Sequence, residues 1–262
     1  MRKTLIGALA ISTLSLAIAQ ANAAEIKVGT VAGPETDVMQ VAADIAKEKF
    51  DLDVEIVEFT DYVTPNAALA DGSLDANAYQ HEPYMNAMVR DRGYDFAIAG
   101  RTFVYPIGAY SEKYDSIDEL PDGATIALPN DPSNEGRSLI LMHNLGLIQL
   151  DDPENLEATP LNVSENEHDY EFREIEAAQL PRVLPDVDMA FINNTFAQPA
   201  GLSLDDALIK EGPESPYVNI IAVRAGDEDR EEIKQLVEAY QSDEVAAKAD
   251  ELFKGSAVPG WE

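Results

Sequence analysis

The sequence predicts an α/β protein of two lobes, with mixed, mostly parallel sheets and a ligand cleft between them. Three observations carry that reading. Short apolar runs rich in Val and Ile recur along the chain with helical patterns between them, which calls for crossover connections and for sheets covered on both faces. The chain is 262 residues long, enough for two modest cores. The strand pattern is interrupted at two places where the chain can change lobe.

The elements follow in order. Arg2 and Lys3 precede an uncharged run from Thr4 to Ala19 and the small residues Ala21-Asn22-Ala23. This is the pattern of a secretory signal peptide over 1–23, with an apolar core too short to favour a permanent span. Ile26 to Val31 reads as a buried strand, Gly33-Pro34 as a breaker and Glu35 to about Lys49 as a helix. Val54 to Phe59 is a second strand, and a helix from Pro65 stops at Asp71-Gly72. Further strands are expected around Asp75 to Tyr79, Phe96 to Tyr110, Ala124 to Pro129, Phe172 to Ile175, Met189 to Ile192 and Val218 to Val223. A polar amphipathic helical stretch from Asp227 to Lys254 closes the chain. The first break is Tyr105-Pro106-Ile107-Gly108 and the second lies between Pro199 and Val223. Residues 24–105 plus about 200–262 then form lobe 1, and about 106–199 form lobe 2, inserted so that both termini stay in lobe 1.

Composition narrows the function. With no cysteine, disulfides, thiolate metal sites, a cysteine nucleophile and lipid attachment at a processed cysteine are all excluded, so the expected form is a free, unlipidated periplasmic protein. The formal net charge of −31 is spread along the sequence and argues against nucleic acid, whose phosphates it would repel. It fits a solubilising surface adapted to high salt. The histidines His81, His143 and His168 are not paired at zinc-motif spacing, and no serine elbow, phosphate loop or dinucleotide fingerprint is present. No enzyme, metal or cofactor is expected, and no span of the mature chain is long and apolar enough to cross a membrane.

Three stretches carry candidate chemistry. Phe59 to Tyr84 packs Tyr62, Tyr79, His81 and Tyr84 around a strand end and loop. Such rings suit a small ligand with an apolar tail, a thioether included. Ordinary core aromatics plus a loop histidine is the other reading. In Ile126 to Leu141, a strand runs into Asn130-Asp131-Pro132-Ser133-Asn134, and Arg137 falls in the first helical turn, where it suits a carboxylate or forms a salt bridge to one of the 49 acids. Asn193 and Asn219 follow or lie within short strands and offer both donors and acceptors to a free amino acid, or else serve turns.

Together these stretches resemble the MetQ/NlpA family, the methionine-binding proteins of ABC importers. The likeness rests on DYVTPNAALADGSLDANAYQHEPY, YPIGAYSEKYDSIDELPDGATIALPNDPSNEGRSLIL, EIEAAQLPR, DVDMAFIN, SPYVNIIAVR and YQSDEVAAKADELFKGSAVPGW, in that order over nearly the whole mature chain. It implies a two-lobed periplasmic-binding-protein fold, type II-like, that closes on methionine and presents it to a permease with its ATPase. Tyr62, Tyr79, His81 and Tyr84 would line the side-chain pocket, and Arg137, Asn193 and Asn219 would hold the amino and carboxylate groups. A monomer is expected. Another apolar amino acid or a methionine-containing dipeptide is the alternative ligand. Two departures from the family pattern stand out: the lipid-bearing cysteine is missing, and Tyr79 replaces a common phenylalanine, adding a hydroxyl whose partner the sequence leaves open.

Overall fold

The computed structural model describes residues 24–212 and 214–261. The signal peptide expected over 1–23 lies outside them.

The chain opens with β1 (Ala24–Val31), α1 (Pro34–Phe50) and β2 (Leu52–Phe59). Gly33 takes φ 138, a region open to glycine, and Pro34 at the first helical turn fixes the entry into α1. Asp51, in the left-handed region, ends α1 and turns the chain into β2, which pairs parallel with β1. Then come α2 (Thr64–Ala70), β3 (Ala76–Asn77), α3 (Glu82–Arg92), β4 (Phe96–Val104), β5 (Gly108–Tyr110), β6 (Thr125–Pro129), α4 (Pro132–Asn144), β7 (Gln149–Leu150), β8 (Val163–Glu165) and β9 (Glu171–Ile175). The remainder is α5 (Leu180–Val183), β10 (Met189–Ile192), α6 (Asn194–Ala197), β11 (Ile209–Lys210), β12 (Val218–Arg224), α7 (Glu231–Tyr240), α8 (Asp243–Phe253) and β13 (Val258–Pro259).

Two main sheets result. One has the order β13-β4-β12-β3-β1-β2, the other β11-β5-β10-β6-β9, and β7 and β8 form a separate hairpin. Side-chain alternation along the strands fills two cores per sheet. Ile126 and Leu128 of β6 and Met189 and Phe191 of β10 meet Leu139 and Met142 of α4 on one face, while Ala127, Ala190 and Ile192 meet Leu180 and Leu184 on the other. In the first sheet, Ile26 and Val28 pack under α1, α7 and α8 through Val38, Met39, Leu236 and Phe253, and Ile220 and Ala222 face Leu69 and Met85 of α2 and α3. The mixed α/β architecture expected from the alternating pattern is present.

Direction and length differ from expectation in three places. Pairing is parallel only among β1, β2 and β3 and among β6, β9 and β10; β4, β5, β11, β12 and β13 pair antiparallel. The antiparallel strands cluster where the chain passes between sheets, so no helical crossover constrains them. The expected strand from Phe96 to Tyr110 is two strands in different sheets, because Pro106 has no N–H for a ladder. The helical stretch at the C-terminus divides at Ser242, whose hydroxyl accepts from the Val245 amide and starts α8. β11 belongs to the five-stranded sheet, so the second passage between sheets comes after Lys210, inside the expected range from Pro199 to Val223 though later than a boundary drawn near 200.

Candidate functional site

Where the two sheets face each other, a cavity is lined by Tyr62, Tyr79, Gln80, His81, Tyr84, Tyr105, Asn134, Arg137, Asn193, Asn194, Thr195 and Asn219. All seven residues singled out in the sequence are on this wall.

One end is aromatic. After β2, the Asp61 carboxylate accepts from the amides of Val63 and Thr64, both at 2.7 Å, and pins the loop that carries Tyr62. The Tyr62 carbonyl in turn accepts from the Tyr79 hydroxyl at 2.7 Å and the Tyr84 hydroxyl at 2.9 Å. Tyr79 stacks on Tyr62 at 5.9 Å between centroids, Tyr84 meets Tyr62 edge-on at 6.1 Å, and Phe196 of α6 closes on Tyr62 at 5.0 Å from the other sheet. Burial pushes all three phenols above their usual range, so they remain neutral donors. The extra hydroxyl of Tyr79 is thus committed to the backbone.

The other end is polar and is organised by two helix starts. His81 caps α3: its Nδ1 accepts from the Tyr84 amide at 3.1 Å, which requires the proton on Nε2, and Nε2 donates to the Asn134 side-chain carbonyl at 3.1 Å. Burial, reinforced by nearby Arg137, pushes the imidazole down to about 3, so it is uncharged. Asp131 caps α4, accepting from the Asn134 amide at 3.0 Å and from its side-chain NH₂ at 2.9 Å. This fixes the Asn134 carbonyl, which also accepts from Asn193 at 2.9 Å. Asn134 therefore joins His81 on the first sheet's side to Asn193 on the second's. Its own signal was the Asp-Pro-Ser-Asn run, legible as a helix cap but not as a junction.

Arg137 is almost fully buried. Its Nε donates to Glu211 at 2.8 Å, Nη2 donates to the other Glu211 oxygen and to the Tyr105 carbonyl at 3.0 Å, and its guanidinium lies 4.6 Å from the centre of the Tyr217 ring. Nη1 has one long contact, 3.5 Å to Asn134. The two readings left open for Arg137 coexist: it forms a salt bridge and still reaches the cavity wall. Asn219 donates to the Tyr79 carbonyl at 3.3 Å, whereas the side-chain oxygen of Asn193 is buried without a hydrogen-bond partner among the described residues. The cavity thus pairs an aromatic pocket with a neutral imidazole, a largely committed arginine and an unused acceptor.

The family model described as "NlpA lipoprotein" matches residues 26–261. The chain belongs to this family. A Vibrio cholerae protein named "Probable D-methionine-binding lipoprotein MetQ" is 51% identical over 97% of this chain and 96% of its own length. The crystal structure of a methionine-binding protein, MetQ, superposes with a TM-score of 0.89 at 50% identity, covering 91% of this chain and 98% of that one. A nutrient-binding protein from Burkholderia cenocepacia, solved bound to methionine, gives 0.87 at 50% identity over 90% and 99%. The two-lobed periplasmic-binding fold expected from the resemblance is that of these structures.

The same matches correct the expectation of a free, unlipidated protein. The family and the Vibrio relative are named lipoproteins, and likeness over nearly the whole chain outweighs an argument from the absence of one residue type. A missing cysteine constrains the chemistry of attachment at that residue, not the membership of a membrane-anchored family. Among the described residues, no helix is long and apolar enough to cross a membrane.

Proposed function

We propose that this chain is the solute-binding component of an ABC importer and that it captures methionine between its two lobes for delivery to the permease and ATPase. The observation that carries the reading is the cavity's division into a three-tyrosine end and a polar end holding an unpaired acceptor at Asn193, in a chain half identical to methionine-binding relatives. A thioether gains about 0.3–1.5 kcal/mol from each aromatic contact. Tyr62, Tyr79, Tyr84 and His81 would enclose the tail, Arg137 would offer Nη1 to the carboxylate, and Asn193 and Asn219 would fix the ammonium.

The lobes would be 24–105 with the segment after Lys210, and 106–210, joined by the two passages beside Arg137. Ligand-driven closure needs contacts from both, which Tyr62 and His81 on one side and Arg137 and Asn193 on the other would supply. The binder reading is favoured over a hydrolase because both nitrogens of His81 are already hydrogen-bonded and neither meets a carboxylate. The ligand would pass through unchanged. The protein would act as a monomer, and its acidic surface would suit work in salt.

Native mass spectrometry of protein purified without added ligand, followed by calorimetric titration of the stripped protein with L-methionine, D-methionine and glycyl-methionine, tests this. A co-purifying mass of methionine and saturable binding of one enantiomer are expected. Absence of binding to all three ligands would reject it.

A further inference from the structure

We propose that Glu211 sets the net charge of the ligand, restricting the site to zwitterions by neutralising Arg137. The inference rests on the methionine reading and adds the residue that makes it selective. Glu211 lies at the second passage between sheets, in a stretch the sequence marks only as loop. Both of its carboxylate oxygens are on Arg137, and the Ile107 amide at 3.2 Å and the Ser215 hydroxyl at 3.0 Å complete its shell. The Glu211 amide also donates to the Ile107 carbonyl at 3.1 Å, so the residue is fixed by backbone as well as side chain. It is 9 % exposed and Arg137 is 2 % exposed.

The charge count at the polar end follows. Arg137 and Glu211 cancel, the half-buried Asp131 adds a second carboxyl at the start of α4, and His81 is neutral. No excess positive charge is left to hold a bare anion. A zwitterion brings its own compensation: its carboxylate meets Nη1 of Arg137 and its ammonium meets the unpaired oxygen of Asn193. The same skeleton without the ammonium leaves that oxygen unpaired and adds uncompensated charge to a buried site, both of which are costly. A guanidinium without Glu211 would have the opposite preference.

The test compares methionine with 4-(methylthio)butanoate, which has the same chain and carboxylate but no ammonium, on ligand-stripped wild type, Glu211→Gln and Glu211→Asp. Wild type is expected to prefer methionine. In Glu211→Gln that preference should shrink about tenfold, the scale of one unit charge removed at roughly 10 Å in an effective dielectric of about 20. Glu211→Asp keeps the charge and should keep the preference even where both affinities fall. A purely structural role weakens both ligands by one factor, so an unchanged ratio in Glu211→Gln overturns the inference. Equal wild-type affinity for the two ligands overturns it whether or not the variant folds. Failure of wild type to bind methionine overturns instead the reading on which it rests.

Discussion

Tyr79 and Asn193 show how single side chains divide between holding the wall and meeting the ligand. The Tyr79 hydroxyl ends on the Tyr62 carbonyl, which Tyr84 also serves, so removing it leaves that carbonyl satisfied. Tyr79→Phe should cost no more than about 1 kcal/mol of stability in denaturant unfolding and leave methionine affinity within about threefold. A larger loss of affinity would place that hydroxyl on the ligand. Asn193 is the converse case, because its oxygen has no partner among the described residues while its NH₂ is held by Asn134. Asn193→Ala should weaken methionine binding by about 10- to 100-fold, matching the ~1–3 kcal/mol attached to a buried polar group deprived of its partner. Calorimetric titration reads it, and near-native affinity would remove Asn193 from the site. Seven of the wall's residues were legible because they fall in the family motifs, whereas residue chemistry alone left each of them a structural alternative. Glu211 was not, since one acid among 49 carries no signal until its partner is known.

At the scale of elements, the polar end depends on how α4 begins. Asp131 accepts from the amide and side chain of Asn134 and from the Ser133 hydroxyl at 3.1 Å, so one cap both starts the helix and aims the junction residue. Asp131→Ala should lower stability by about 0.5–2 kcal/mol, the usual worth of an N-cap. It should also weaken methionine binding, because Asn134 is then free to turn from His81 and Asn193. Loss of stability without loss of affinity would reduce Asp131 to a cap. The sequence made this helix start visible through Asp131-Pro132, just as Gly33-Pro34 marked the start of α1. It marked the change of lobe at Tyr105-Pro106-Ile107-Gly108 but ran one strand through it from Phe96 to Tyr110, because strand propensity is blind to which sheet a strand joins. The single Pro106 was the only mark of the passage. The short β3 was overestimated for a related reason: the chain bends at Tyr79, and Gln80 and His81 then bond singly to β12, with the Ile220 amide on the Gln80 carbonyl at 2.9 Å.

Over the whole molecule, buried titratable groups and surface charge set opposite limits on stability. Glu35, in the first turn of α1, accepts from the Thr195 hydroxyl of α6 across the space between sheets, and burial pushes its carboxyl up to about 8. A carboxyl raised above its unfolded value near 4.5 contributes stability fully present below about 4.5 and lost as pH rises through about 8. Glu135, raised to about 8 by burial and by Glu174, acts in the same direction. His81, held near 3, acts oppositely: its contribution is present above about 6.5 and lost as pH falls toward 3. Thermal unfolding of Glu35→Gln should therefore lose less stability than wild type between pH 7 and 9, and an identical slope would deny that Glu35 titrates there. The surface limit comes from the net charge of −31, whose mutual repulsion favours expansion of the chain. Screening shortens from about 30 Å at 0.01 M salt to about 3 Å at 1 M, so the repulsion is felt across the molecule at the first and only between nearest neighbours at the second. The unfolding temperature should rise through that range, with sodium and choline chlorides acting alike if screening is the cause. A flat response would deny that the field of the whole surface limits stability, and a rise with sodium alone would point to bound cations rather than to that field.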